Sequence, residues 1–235
     1  MKNSLNATLT MRKLALVLAV FLVGASTARA DSLETSRPAG TDSVDWSHLG
    51  ADNTGVPASF SFTTTDGVAG TGSYLNPKSS FKYFGGVGAV TEEGAGSFGS
   101  DFAPGDFLNW TDNSGPLTLT FPDETYTQIG AQIDTLSLGY FTAEICDAHG
   151  CFSETGDAGE LNNGSAIYIG IDSSTPVNWV TFSLTSASGG NPQDFAIDDV
   201  TLDGGKAVTP EPGSLLLLGT GLVGLAGALR RKLAR

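Results

Sequence analysis

The sequence predicts an all-β protein, an antiparallel β-sandwich or jelly roll flanked by an N-terminal signal helix and a C-terminal transmembrane helix. Three observations carry that prediction. Short runs alternate apolar and polar residues with period two, as in Ile167, Ile169 and Ile171 or Leu117, Leu119 and Phe121. Turn formers punctuate them: the 235 residues include 31 Gly and 10 Pro, where glycine usually contributes about 7%. Charged residues make up only 16%, and no stretch between the two ends keeps a helical period, which excludes a coiled coil or helical bundle.

Taken along the chain, the expected strands cover 58–64, 68–75, 81–84, 117–121, 126–134, 140–146, 152–155, 166–172, 177–185 and 195–202. Turn signals at this spacing fit one sandwich domain over 31–207, with no internal repeat and no second domain. The glycine-rich stretch 85–105 reads as a long loop crossing one end of the sandwich. The last run, Phe195-Ala196-Ile197-Asp198-Asp199-Val200-Thr201-Leu202, breaks strict alternation. Phe195 and Ile197 share one face and Val200 and Leu202 the other, so burying all four requires a β-bulge at Asp198-Asp199.

The two ends read as addresses. Residues 1–30 form a secretory signal: Arg12 and Lys13, an apolar run over 14–23, then the small-residue site Ala28-Arg29-Ala30 for signal peptidase. Residues 208–235 hold Pro210-Glu211-Pro212, an apolar segment over 213–229 and the basic cluster Arg230-Arg231-Lys232. The prolines keep the motif extended. The 17 residues of 213–229 would reach about 25 Å as a helix, a marginal span of a roughly 30 Å hydrocarbon core. The basic cluster would stay cytoplasmic, leaving the body outside the inner membrane.

This tail resembles the PEP-CTERM sorting signal of Gram-negative bacteria that make exopolysaccharide, a tail also labelled an ice-binding protein C-terminal domain. The resemblance implies an exosortase that cuts at the Pro-Glu-Pro motif, and a destination at the cell surface or in the matrix. Stretches such as Val44-Asp45-Trp46-Ser47-His48-Leu49-Gly50 and Gly115-Pro116-Leu117-Thr118-Leu119 are similar to recurring segments of PEP-CTERM bodies, which carry no assigned activity.

Charge narrows the partners. Eight of the 12 basic residues lie at the two ends, so residues 31–209 hold four basic against 24 acidic residues, a net −20. Such a body repels phosphate backbones, which excludes nucleic acid, and it attracts cations. Solubility alone also accounts for an acidic surface. Cys146 and Cys151 flank Asp-Ala-His-Gly, a turn between two strands, and an even pair across a hairpin in an exported protein reads as a disulfide.

The ending Phe-Ala-Ile-Asp-Asp-Val resembles the closing strand of carbohydrate-binding-module-like jelly rolls. That resemblance implies a structural Ca²⁺ held by Asp199, then Asp198, with Asp45 from an early strand as a further oxygen ligand; a plain bulge with solvated carboxylates is the alternative. Trp110 and Trp46 are the candidates for a sugar-stacking platform, with core packing as the competing role and Trp179 expected in the core. His48 and His149, without clustered Cys, do not compose the usual structural zinc site, and no H-E-x-x-H, G-x-S-x-G or P-loop occurs.

The reading is a non-enzymatic, exported surface or exopolysaccharide-matrix protein able to bind glycan. Two alternatives stay open. One is an extracellular polysaccharide-active enzyme with paired carboxylates; the other is a purely structural or adhesive subunit.

Overall fold

The computed structural model describes residues 30–38, 42–78, 85–93, 98, 101–135, 139–158, 166–188 and 190–207. The signal segment, the strand expected at 81–84 and the whole sorting tail lie outside the described residues.

The strands are β1 (Ser32–Glu34), β2 (Asp42–Val44), β3 (Thr54–Val56), β4 (Ser59–Thr63), β5 (Ala69–Tyr74), β6 (Gly88–Glu92), β7 (Phe107–Trp110) and β8 (Leu117–Thr120). They continue as β9 (Glu124–Thr135), β10 (Tyr140–Cys146), β11 (Cys151–Asp157), β12 (Ile167–Val177), β13 (Trp179–Ala187), β14 (Phe195–Asp203) and β15 (Lys206–Ala207). Nine build one sheet in the order β1-β12-β9-β14-β7-β6-β3, with β2 beside β14 and β15 beside β9. The other six build a second sheet, β11-β10-β13-β8-β5-β4. Every pairing is antiparallel. Among the described residues the only helix is a 3₁₀ turn, Trp46–Leu49.

Alternation does what it predicts in the six-stranded sheet. In β4, Phe60 and Phe62 face inward while Ser59, Ser61 and Thr63 face solvent. Gly72 and Gly70 pair opposite those phenylalanines, and each ring lies where a Cβ on its partner would sit, so β5 can carry no side chain at either position. Leu117 and Leu119 of β8, Phe141 and Ile145 of β10 and Phe182 of β13 meet Ile129, Ile133, Ile169 and Ile197 of the facing sheet in one core. Trp46 stands among them, fully buried, with ring centroids 6.3 Å from Phe60 and 5.7 Å from Phe62 in edge-on contact.

The 85–105 region departs from expectation. It supplies β6, and Ala89, Phe98 and Phe102 of the region join Leu108, Trp110 and Ala196 in a second apolar cluster. Leu108, Trp110 and Ala196 project from the outer face of the nine-stranded sheet, so that sheet is apolar on both sides there. A strand buried on both faces loses its period-two signature, which is why β6 and β7 were not legible as strands.

The Cys146–Cys151 disulfide forms, with Cα atoms 4.1 Å apart, at the end of the β10–β11 ladder. The closed loop is short, so replacing both by serine is expected to cost only about 2 kcal/mol or less. A drop in Tm beyond roughly 10 °C on reduction would overturn that assignment of a minor staple.

Candidate functional site

Strand β14 contains the predicted irregularity. Asp198 lies opposite Gln132 of β9, whereas Thr201 lies opposite Gly130. Three steps on β14 therefore match two on β9, and one residue is extra. Asp199 takes it up in the left-handed region, φ 48°. Phe195, Ile197, Val200 and Leu202 consequently all reach the core.

The bulge falls where β14 changes partner on its other edge. Ala196 and Ile197 pair with Trp110 and Asn109 of β7, and Val200 to Leu202 pair with β2. Between these two neighbours the sheet opens into a depression of about 370 Å³, whose rim includes Asp45, Ser47, Asp106, Asp198 and Asp199. Oxygens of Asp106, Asp198 and Asp199 all lie within 4.8 Å of one another. Asp198 is 7% exposed. Its burial, followed by the charges of Asp199 and Asp106, pushes its carboxyl up to about 8. Burial also raises Asp199, and Arg37 opposes that rise with Nη1 2.7 Å from Asp199 Oδ1.

Two of the three sequence-predicted ligands thus meet at one point. The third, Asp45, lines the same depression, but its Oδ1 accepts the Ser47 N–H at 2.8 Å as the cap of the 3₁₀ turn, and Oδ2 stands 3.9 Å from His48 Nε2. Asp106 completes the trio instead. It enters on the first turn before β7, and nothing in the Pro104-Gly105-Asp106 turn distinguishes it from other acidic turn residues. Close-set hard oxygens of this kind could hold Ca²⁺, which takes six to eight oxygens at about 2.3–2.6 Å.

The aromatic candidates are placed otherwise. Trp46 is fully buried and Trp110 is 5% exposed, with Nε1 donating to Asp194 Oδ1 at 2.6 Å. Stacking on a sugar needs an open ring face, and neither indole has one, so both take the core role rather than the platform role. Trp179, expected in the core, is only half-buried beside the fully buried Val180. Asn109, which begins an Asn-Trp-Thr glycosylation sequon, is also fully buried and accepts the Tyr74 hydroxyl at 2.6 Å.

Residues 208–232 match the family model of the PEP-CTERM protein-sorting motif. The chain carries a PEP-CTERM sorting signal. The match covers Pro210, Glu211 and Pro212 together with Arg230, Arg231 and Lys232, and it marks an exported, exosortase-processed surface protein. The PEP-CTERM segment lies outside the described residues, as does the apolar stretch 213–229 read from sequence as a membrane anchor. Among the described residues no helix is long and apolar enough to cross a membrane. No curated protein and no solved structure matches the chain.

Proposed function

We propose that this is a non-enzymatic protein of the cell surface or exopolysaccharide matrix, delivered there through its PEP-CTERM signal. The sorting motif following directly on a sandwich with a filled core carries this reading. In an exosortase-bearing host, the full chain is expected to fractionate with the surface and to co-sediment saturably with the host's exopolysaccharide. A Pro210→Ala, Glu211→Ala, Pro212→Ala variant should stay in the inner-membrane fraction. Release of new reducing ends from the polysaccharide would replace this reading with the enzymatic one.

The crowded trio at the bulge supports a second element, a structural Ca²⁺ held by Asp106, Asp198 and Asp199. A cation would relieve the mutual repulsion of three carboxylates sharing one depression. At a hundredfold excess over Kd it would contribute about 2.7 kcal/mol, a rise in Tm of roughly 5–10 °C. Identical melts in Ca²⁺ and in chelator would remove it.

A further inference from the structure

At the β1 edge of the nine-stranded sheet, three residues far apart in sequence converge on one nitrogen. Asp31 precedes β1, Asp147 and His149 sit in the turn between β10 and β11, and Ser173 lies on β12. His149 Nδ1 is 3.4 Å from Asp31 Oδ2, 3.4 Å from Asp147 Oδ2 and 3.5 Å from the Ser173 hydroxyl oxygen. Ligand atoms of Asp31, Asp147 and His149 all fall within 4.8 Å of one another.

The two carboxylates are held alike. Asp31 Oδ1 accepts both the N–H and the hydroxyl of Ser174, each at 2.7 Å. Asp147 Oδ1 accepts the N–H groups of His149 and Gly150 at 2.7 and 3.0 Å. In each case one oxygen is committed to orienting the group and Oδ2 is turned toward the imidazole, the outer-shell arrangement that fixes metal-ligating carboxylates. The Asp147 side chain is fully buried and that of Asp31 is 13% exposed, while His149 is 38% exposed.

The spacing is informative. A charge-assisted imidazole–carboxylate hydrogen bond closes to about 2.7–2.9 Å, shorter than either contact of His149 Nδ1 with a carboxylate. Separations of 3.4 Å to two carboxylate oxygens instead equal the edge of a tetrahedron whose centre-to-corner bonds are about 2.1 Å, the length of zinc–nitrogen and zinc–oxygen bonds.

We infer that Asp31, Asp147 and His149 form a site for a borderline divalent metal ion of the Zn²⁺ type, with the Ser173 hydroxyl or a water as the fourth ligand. Neutral imidazole and two carboxylates would balance the charge of the ion. The ion would tie the start of β1 to the β10–β11 turn, joining the edges of the two sheets. Its ligand chemistry separates it from the all-oxygen trio at the bulge.

The test uses the full chain in detergent, stripped with chelator and supplied with excess Ca²⁺ to occupy all-oxygen sites. Titration with Co²⁺ is expected to bind one equivalent in this site with the intense visible bands of tetrahedral coordination, displaced by Zn²⁺. Asp31→Asn and Asp147→Asn keep the Oδ1 hydrogen bonds and remove the charged Oδ2. Each, like His149→Ala, should weaken Zn²⁺ binding at least tenfold while leaving the fold intact by circular dichroism, and Asp198→Asn should leave that binding unchanged. Absence of tetrahedral bands, or affinity unchanged in Asp147→Asn and His149→Ala, would overturn the assignment.

Discussion

Trp46→Ala is expected to destabilise the domain by on the order of 3–5 kcal/mol, the usual cost of removing a large aromatic from a packed core. The indole is fully buried between Phe60 and Phe62, and Phe62 in turn meets Phe121, which meets Tyr126. The cavity would therefore open at the head of an aromatic chain that crosses between the sheets, where backbone ladders on both sides restrain collapse. Against a total stability of about 5–15 kcal/mol, that loss leaves much of the protein unfolded on mild heating. Urea or thermal melts measure it directly. A variant that melts like the parent and loses only glycan binding would restore Trp46 to the platform role.

Raising the pH without divalent cations is expected to weaken the fold. Asp198 titrates near 8 in the folded protein and near about 3.9 once unfolded. Between those values the folded state binds the extra proton, so stability falls as pH rises. Stability from this group is complete below about pH 4 and lost through about pH 8. The raised carboxyls of Asp199 and Asp194 act in the same direction. The combined loss is on the order of a few kcal/mol, or roughly 5–10 °C in Tm between about pH 5 and pH 8.5. Asp198→Asn should flatten the profile, and saturating Ca²⁺ should do the same by taking the place of the proton. A flat profile in the parent protein would refute the burial assigned to this carboxyl.

Sequence reading recovered what rests on local rules. The bulge followed from four apolar residues that one uninterrupted strand cannot all bury, and the disulfide from a four-residue turn between two cysteines. It failed where a distant segment supplied the second face. Trp110 looked available because it follows a loop beside Asp106 and Asn109; Phe98 and Phe102 arrive from outside to cover it. Asp106 escaped for a related reason: its partners lie some ninety positions along the chain, brought near only by the β7–β14 pairing. The short strands β1, β2 and β3 have three residues each, too few for any period to register.

The ladder of β15 against β9 has a topographical consequence. Lys206 and Ala207 pair with Thr125 and Glu124, and the sorting motif begins at the next residue. From Ala207 to Pro210 the chain can reach only about 10 Å when fully extended. A processing enzyme must therefore engage its motif against the flank of a folded body bearing a net −20, or first peel away a strand two residues long. Peeling β15 gives up one short ladder and leaves β9 fixed by β12 and β14. The domain thus ends in a strand that can detach without disturbing the sheet it leaves.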